Sequence, residues 1–192
     1  GALIFLDLDN FKLLNDTLGH EVGDQQLVEA AQRIRDSVRA CDTVARLGGD
    51  EFVVMLEELS ADAHVAARQA RRVGEKLRAA LSRPYDLQGH EFHGSASIGV
   101  ALFAGQEDTV DALLRHADLA MYRAKTSGRN TLRFFDPAMQ TALNERSALE
   151  SALRQAVAHD ELRLAFQPQL DRRGHVVGAE ALLRWDGFGH GP

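Results

Sequence analysis

Acidic residues at the ends of apolar segments are the first candidates for chemistry. Asp7 closes a first apolar run, and Asp50 and Glu51 follow two glycines that separate two further apolar runs. Carboxylates that converge resist joint ionisation unless a cation lies between them. Such oxygen ligands suit Mg²⁺ or Mn²⁺, which bind carboxylates together with substrate phosphates. If these strands are neighbours, the pattern favours metal-assisted nucleotidyl transfer. The alternative is that the acids end strands and face solvent.

The two acids after the glycines cannot do the same job, because adjacent strand residues point to opposite faces of a sheet. Gly48 and Gly49 predict a tight hairpin turn, since glycine adopts a positive φ without steric cost. Simple alternation then places only one of Asp50 and Glu51 on the edge of Asp7. We expect Asp50 there, and Glu51 beside it only if the turn twists.

Two further groups have the chemistry to bind a nucleotide. Lys125 and Arg129 flank Gly128 at the end of a helical pattern, where paired cations can hold phosphate oxygens. The alternative is that they complement a helix dipole. Asn15 and Asp24 could meet guanine, since a carboxylate accepts from N1–H and the exocyclic amine, and an amide reaches O6 or N7. The alternative is that both cap helices.

The elements that must position these residues alternate along the chain. The apolar spacing predicts strands, helices and hairpins in the order β-α-α-β-β-α-(hairpin)-β-α-β. Because one strand pair is a hairpin, the central sheet should be mixed, with helices flanking it. The order predicts an α/β (α+β) fold of the ferredoxin-like, polymerase-palm type. Within it, we expect the second helix to end near Arg39 and Ser60 to cap the third.

The chain divides into a main domain and two smaller parts. The main domain is expected over residues 1–136. Asp136 and Pro137 are favoured at a helix start, and they predict a connector helix over 137–160. Residues 161–192 contain two strand-like runs around a turn. Some thirty residues cannot bury a core alone, so we interpret them as the beginning of another domain.

Composition excludes several classes of protein. The chain has 192 residues, 45% of them hydrophobic, and a net charge of −6 without a long basic block, which argues against nucleic acid as a partner. No apolar run reaches the roughly 20 residues of a membrane span. The single Cys41, expected as a packed thiol, excludes an internal disulfide and fits a reducing cytoplasm. The chain starts without Met, so we expect a fragment whose parent carries an upstream sensory domain or membrane anchor.

Five motifs make the first 136 residues resemble the GGDEF family of diguanylate cyclases. In order, they are DLDNFKLLND from Asp7, GHEVGD from Gly19, RLGGDEF from Arg46, SIGVA from Ser97 and ADLAMYRAKTSGRN from Ala117. The later segment LRLAFQPQLDRRGHVVGAEALLRW resembles the opening of an EAL domain, the family of cyclic di-GMP phosphodiesterases. The chain therefore resembles a piece of a tandem GGDEF-EAL protein.

The resemblance to the GGDEF family implies an activity and its residues. Two GTP molecules would condense to cyclic di-GMP and two pyrophosphates, with Mg²⁺ or Mn²⁺ as cofactor and two domains face to face in a homodimer. The family roles fall on Asp7, Asp50 and the Leu8 carbonyl as metal ligands, Asp50 and Glu51 as catalytic acids, Asn15 and Asp24 at guanine, Gly48 and Gly49 beneath the nucleotide, and Lys125 and Arg129 at the phosphates. Backbone amides near residues 10–12 could assist at a helix N-terminus.

The resemblance also implies an inhibitory site. Arg39 and Asp42 form an RxxD motif just before the glycine turn, the family's site for bound product. The alternative is a surface ion pair that contributes little. The basic residue that would complete the site is left open between Arg71, Arg72 and Lys76.

The EAL-like segment carries part of a second set of site residues. Glu180 resembles a metal-binding glutamate, Arg184 resembles a phosphate-binding arginine, and Gln167 lies in the matching QP segment. The other ligands of that family have no counterpart in this sequence, so we expect no hydrolysis of cyclic di-GMP by this chain. Two rival functions stay open: a GTP-binding module that regulates an attached EAL domain, and a dimerisation scaffold.

Overall fold

The computed structural model describes residues 1–104 and 109–185 and divides the chain into two compact units, 1–139 and 140–192. Along the described part of the first unit, the elements are β1 (Ala2–Leu8), α1 (Phe11–Leu18), α2 (His20–Arg35), β2 (Thr43–Gly48), β3 (Glu51–Leu56), α3 (Ala63–Leu81), β4 (Tyr85–Leu87), β5 (His90–Phe92), β6 (Ala96–Leu102), α4 (Val110–Thr126) and β7 (Leu132–Phe134). The helix α5 (Pro137–Ala158) begins at the end of this unit.

A mixed five-stranded sheet carries the first unit, in the order β2-β3-β1-β6-β7. The strand β1 is antiparallel to both β3 and β6, and β7 runs parallel to β6 at the edge. The four strands β6-β1-β3-β2 form a split βαβ arrangement. The predicted mixed sheet flanked by helices is therefore confirmed.

Both faces of β1 are buried, which explains why its sequence is continuously apolar. On one face, Ile4 and Leu6 share a core with Ile34 of α2 and Leu77 of α3. On the other face, the neighbouring side chain Phe5 belongs to a smaller cluster around α4. Burial of each such side chain contributes about 1.5–3 kcal/mol. The central strand is thus the firmest platform available for the residues at its end.

Two predicted helix boundaries are wrong. The helix α2 ends at Arg35, not near Arg39, so Arg39 lies in a loop. Asp62, not Ser60, caps α3, because the extended backbone of Asp62 aims its Oδ1 at the Val65 amide, 2.8 Å away. The Ser60 hydroxyl instead accepts a hydrogen bond from the Asp62 amide at 3.2 Å.

The second unit contains the antiparallel strands β8 (Leu162–Leu170) and β9 (Val176–Trp185) after the rest of α5. The long helix and the short hairpin were both predicted. Apolar side chains on the hairpin, such as Phe166 and Val177, are exposed. The last part of the predicted EAL-like segment, 186–192, lies outside the described residues. Among the helices that are described, none has the length and apolarity that crossing a membrane requires.

Candidate active site

A cavity of about 400 Å³ opens beyond the end of β1. Its described lining comes from the end of β1, the start of α1, the β2–β3 turn and the end of α4: Asp7, Leu8, Asp9, Asn10, Phe11, Lys12, Leu13, Asp16, Asp50, Lys125 and Arg129. The fold thus brings the three predicted metal-ligand positions and both predicted phosphate-binding cations to one place. The predicted backbone positions 10–12 at the start of α1 lie there too.

Asp7 is a buried acid in the lining of this cavity, with 4% of its surface exposed. Its pKa is raised to about 6, chiefly by burial and also by the negative charge of Asp50, and the hydrogen bond from Lys125 opposes this shift. The Lys125 Nζ lies 2.6 Å from Asp7 Oδ2. The fold therefore keeps the Asp7 carboxylate in surroundings that disfavour its negative charge, and Lys125 partly neutralises that charge.

The hairpin turn places Asp50 beside the end of β1. Gly48 pairs with Glu51 across the hairpin, so the turn consists of Gly49 and Asp50 rather than of the two glycines. Gly49 has a φ of 51°, which explains the need for glycine there. The Leu8 amide donates to the Asp50 carbonyl at 3.2 Å. This bond fixes the turn against the strand that carries Asp7.

Glu51 takes a different position from Asp50. It lies directly opposite Asp7 in the register of β1 and β3. The described lining of the cavity nevertheless contains Asp50 and not Glu51. Directly opposite residues of an antiparallel pair point to the same face, so the expectation from simple alternation, with Glu51 on the face away from Asp7, is wrong. Asp50 reaches the cavity from the turn before β3 instead, and the catalytic role of Glu51 stays a prediction.

The two cations come from the end of α4 and the turn after it. Gly128 has a φ of 106°, as expected for the residue that reverses the chain after the helix. Arg129 is also left-handed, with a φ of 60°, and its amide donates to the Ala124 carbonyl at 3.2 Å. Lys125 reaches the cavity from the helix itself, and Arg129 reaches it from the reversed chain.

Asn15 and Asp24, predicted to meet guanine, do not line this cavity. Asn15 is on α1, and its buried Oδ1 has no hydrogen-bond partner within the described part of the chain. It presses against Gly23, where an added Cβ would lie only 1.9 Å from that oxygen. Asp24 follows Gly23 on α2 and is exposed. Asn15 therefore packs against the residue that precedes Asp24, and the contact of both side chains with guanine stays a prediction.

A second and larger cavity, of about 620 Å³, lies beside the RxxD motif. Arg39 and Asp42 line it together with Arg72 and Lys76 of α3. The Arg39 amide donates to Asp42 Oδ2 at 2.8 Å, so backbone contacts hold the motif in a turn. The structure therefore brings the predicted inhibitory pair to a pocket that also contains basic side chains.

Arg71 and Cys41 also lie in this region, and their surroundings differ from those of the residues that line the cavity. Arg71 stacks over the Phe134 ring at 4.9 Å and is not part of the described lining of the larger cavity. Cys41 is exposed in the turn, so the expectation of a packed thiol is wrong. The cysteine lies in the surface loop between α2 and β2.

The EAL-like residues lie on the β8–β9 hairpin of the second unit. Gln167 and Glu180 face each other across β8 and β9. Glu180 is exposed, and Arg184 Nη1 donates to the Leu183 carbonyl at 3.2 Å. The hairpin brings the first two together, and their functional roles stay predictions.

Asp16 in the cavity lining and the hydrogen bonds of Asp9 were not predicted from the sequence. Asp9 would share the face of Asp7 only if β1 continued, but β1 ends at Leu8 and Asn10 is left-handed with a φ of 60°. Another missed contact comes from Arg46, whose Nε donates to the Gly49 carbonyl at 2.9 Å. The position of Arg46 directly before the turn was the available signal.

The mixed sheet with acids and cations beyond the end of its central strand belongs to a known class of signalling domain. A family model described as the diguanylate cyclase, GGDEF domain, matches residues 1–131, and the chain belongs to this family of cyclic di-GMP signalling. The family match ends at residue 131, before α5 begins, and the first unit ends shortly afterwards, at residue 139.

Curated relatives extend the similarity along almost the whole chain. The bifunctional diguanylate cyclase/cyclic di-GMP phosphodiesterase MucR of Pseudomonas aeruginosa is 47% identical over 191 residues, which are 99% of this chain and 27% of that protein. The cyclic di-GMP phosphodiesterase NbdA of the same species is 39% identical over 96% of this chain and 23% of its own length. The chain thus spans about a quarter of the length of these relatives.

Solved structures agree with the fold of the first unit. The GGDEF domain of PA1120 (YfiN or TpbB) from Pseudomonas aeruginosa is 43% identical, with a TM-score of 0.65, and the match covers 70% of this chain and 81% of that one. The GGDEF domain of DgcB from Caulobacter crescentus, solved in complex with c-di-GMP, is 28% identical, with a TM-score of 0.61, and covers 69% and 76% of the two chains.

Proposed function

We propose that the first unit is a diguanylate cyclase that condenses two GTP molecules into cyclic di-GMP and two pyrophosphates. One observation carries the proposal: Asp7 and Asp50 meet Lys125 and Arg129 around a single cavity. Acids for a metal and cations for phosphates are the two requirements of nucleotidyl transfer, in which positioning and electrostatics do most of the work.

The residues present fit a divalent metal of the Mg²⁺ or Mn²⁺ type. No group of three or more His, Cys, Asp or Glu gathers within 1–104 and 109–185. Mg²⁺, however, is usually bound by only one or two carboxylates plus substrate phosphates. The repulsion by which Asp50 raises the pKa of Asp7 is the chemistry that a cation relieves. We therefore assign metal binding to Asp7, Asp50 and the Leu8 carbonyl.

The reaction transfers the guanylyl group of one GTP to the 3′-oxygen of the other. The 3′-oxygen of one GTP attacks the α-phosphorus of the other, the bond from that phosphorus to the bridging oxygen breaks, and pyrophosphate leaves. The 3′-hydroxyl loses its proton to a general base, a role that we assign to the Glu51 carboxylate. A bound metal would stabilise the charge on the phosphates and the attacking oxygen. Repeating the step with the roles exchanged closes the ring.

The remaining residues orient the nucleotide. Lys125 and Arg129 neutralise the β- and γ-phosphates, and an arginine can hold two oxygens at once. The amides at the start of α1 add donors at the positive end of a helix. Gly48 and Gly49 have nothing within 4 Å of an added Cβ, so the surface of the turn is open to a nucleotide. Asn15 and Asp24 would select guanine.

The product's two-fold symmetry requires two domains face to face, because each holds one GTP. We therefore propose a homodimer as the active form. We also propose that the larger cavity binds the product and that Arg39 and Asp42 recognise it. Arg72 and Lys76 complete the basic lining there, whereas Arg71 is engaged with Phe134.

The second unit is proposed to open an EAL domain. The similarity to MucR continues across almost all of this chain, well past the end of the family match at residue 131. Gln167, Glu180 and Arg184 would then belong to a phosphodiesterase site completed by residues that this sequence does not contain. We place the protein in the cytoplasm, where GTP is available, under an upstream sensory domain of its parent.

A second candidate function is a GTP-binding module that regulates an attached phosphodiesterase. The specific observation in its favour is that relatives named as phosphodiesterases, NbdA and PdeR of Escherichia coli, align with 96% of this chain. In such a module, the same cavity would bind GTP without turnover. The two functions share a site and differ only in the chemical step.

The deciding experiment incubates the purified chain with GTP and Mg²⁺ and follows cyclic di-GMP and pyrophosphate together. We expect two pyrophosphates per cyclic di-GMP, no product in EDTA, and a turnover per chain that rises with chain concentration because two domains must meet. Binding of GTP without product at every concentration would favour the regulatory module. If the chain does not bind GTP, the remaining function is that of a dimerisation scaffold.

A further inference from the structure

The carboxylate of Asp9 is the most heavily hydrogen-bonded acid near the candidate site. Its Oδ1 accepts from the Ser97 hydroxyl at 2.7 Å, and its Oδ2 accepts from the Ser95 hydroxyl at 2.6 Å and the Asn130 amide at 3.1 Å. The side chain is nearly inaccessible, since Asp9 as a whole is 2% exposed. Three of its roughly four lone-pair sites are thus occupied by donors of the chain itself.

These contacts join three parts of the fold. Asp9 directly follows the end of β1 and lines the cavity, Ser95 immediately precedes β6 and Ser97 lies within it, and Asn130 ends the turn after α4. The backbone adds a further bond, from the Asp9 amide to the Ser95 carbonyl at 2.9 Å. The acid is therefore a junction between the strand that carries the proposed metal ligands and the turn that carries Arg129.

The turn is the part that most needs such support. Arg129 and Asn130 have φ values of 60° and 43°, both in the left-handed region that side chains other than glycine adopt at a cost. Asp9 holds the amide of Asn130 from one side. From the other, the Asn130 Oδ1 accepts from Arg78 Nη1 at 3.2 Å and from the Ser82 hydroxyl at 3.0 Å.

We propose that Asp9 is a positioning residue that sets Arg129 for the terminal phosphates of the nucleotide, and that it is not a third metal ligand. It acts through the backbone of Asn130, the residue that follows Arg129. Release of that amide lets the strained turn relax and moves the guanidinium away from the cavity. This inference rests on the proposed function, because it takes the ligand of Arg129 to be a guanosine triphosphate.

The test compares two nucleotides that cannot react. 3′-Deoxy-GTP lacks the attacking hydroxyl, and GMP lacks the leaving pyrophosphate, so equilibrium affinities can be measured with Mg²⁺ present by calorimetry. The ratio of the two dissociation constants reports the contribution of the β- and γ-phosphates. A loss of folding stability alone lowers the fraction of competent protein for both nucleotides and does not change this ratio.

We expect Asp9→Ala to reduce the preference for the triphosphate by about 10- to 100-fold, the range for losing one charge-assisted contact. Arg129→Ala should have the same effect, and the double variant should lose no more, because both remove one interaction. Asp9→Asn should restore most of the preference, since an amide oxygen can accept from Asn130 while its NH₂ donates to a serine. If Asp9→Ala does not fold, Asp9→Ser, too short to reach the Asn130 amide, takes its place.

Ser97→Ala is the matched control. It removes a hydrogen bond of the same carboxylate at the same depth but leaves the bond to Asn130 intact, so the nucleotide ratio should stay within about twofold of the wild type. A wild-type ratio in both Asp9→Ala and Asp9→Ser would overturn the positioning role. So would a large rise in the Mg²⁺ concentration needed by Asp9→Asn, which would make Asp9 a metal ligand. A wild-type chain without any preference for 3′-deoxy-GTP over GMP would instead overturn the proposed function, and this inference with it.

Discussion

Lys125 Nζ lies 2.6 Å from Asp7 Oδ2, although the two residues are 118 positions apart in the chain. The lysine is the counter-charge of a carboxylate that the fold keeps almost out of reach of water. An ammonium group has three donor hydrogens, and the bond to Asp7 uses one. Lys125 can therefore hold phosphate oxygens from the position in which it neutralises Asp7, which links the acidic and the basic half of the proposed site.

Replacing Asp7 should make the protein more stable and inactive. Burial and Asp50 raise the pKa of Asp7 from 3.8 to about 6, so the folded state resists its ionisation. The ionised acid then costs stability that grows as the pH rises from about 4 through 6 and stays lost above it. We expect Asp7→Asn to raise the free energy of unfolding by about 1–3 kcal/mol at pH 7.5 and by much less at pH 4, and to abolish turnover.

Urea denaturation of wild type and Asp7→Asn at the two pH values measures this difference. Asp16→Asn is a useful comparison, because it removes an acid from the same lining without the deep burial of Asp7. An Asp7→Asn variant that is equally destabilised at both pH values would contradict the electrostatic origin of the cost.

Replacing Asp50 should abolish turnover while the fold survives. Asp50 is half-buried in the turn, and its backbone carbonyl rather than its side chain accepts from the Leu8 amide. The change to asparagine therefore spares the fold but removes one of two carboxylates at the proposed metal. We expect Asp50→Asn to lose about 100-fold or more in turnover with an unchanged melting temperature.

The control for Asp50 is Glu58→Gln, which removes the charge of an exposed acid beyond the other end of β3. It should keep the wild-type turnover and Mg²⁺ requirement. Undiminished production of cyclic di-GMP by Asp50→Asn would refute the metal assignment.

The sequence was sufficient to predict the meeting of Asp7 and Asp50, for a simple physical reason. Both follow or precede strongly apolar runs, and such runs become neighbouring central strands whose ends coincide. The two glycines also predicted a hairpin turn at this point, and the turn contains Gly49 and Asp50. These features depend on period and turn chemistry, which are local properties of the chain.

What the sequence could not show depends on contacts between distant residues. Just after the end of α2, Lys76 of α3 donates to the carbonyls of Asp36 at 3.4 Å and Ser37 at 3.0 Å, and helical periodicity carries no trace of that contact. The role of Asp9 likewise needs Ser95, 86 residues away.

Replacing Arg39 should weaken inhibition by the product. The RxxD turn and α3 line a cavity large enough for a ligand, and Arg39 is its predicted anchor for a phosphate. We expect the concentration of added cyclic di-GMP that halves the initial rate to rise about 10- to 100-fold in Arg39→Ala.

Arg72→Ala should shift the same midpoint in the same direction, because Arg72 shares the cavity. Arg68→Ala serves as the control, since Arg68 is an exposed arginine on the same helix and is not in the described lining. If Arg39→Ala leaves the inhibitory concentration of cyclic di-GMP unchanged, Arg39 and Asp42 form only a surface ion pair and do not bind the product.

Gly23 should determine the preference for guanine through Asn15. A methyl group at position 23 would lie 1.9 Å from Asn15 Oδ1 and 2.9 Å from its Cγ, so the amide must leave its place. A site that hydrogen-bonds a base discriminates strongly only while its polar groups are in position. We expect Gly23→Ala to reduce the ratio of GTP to ATP affinity by about tenfold or more.

Gly74→Ala provides the matched control on α3, where the added Cβ would lie 2.2 Å from the Leu132 Cδ1, away from the proposed nucleotide site. Both variants gain helix propensity and introduce one side-chain collision, so their stabilities should change alike. Only Gly23→Ala should alter the nucleotide ratio. Equal ratios in the two variants and the wild type would show that Asn15 does not contact the base, because displacing it would then have no effect on base selection.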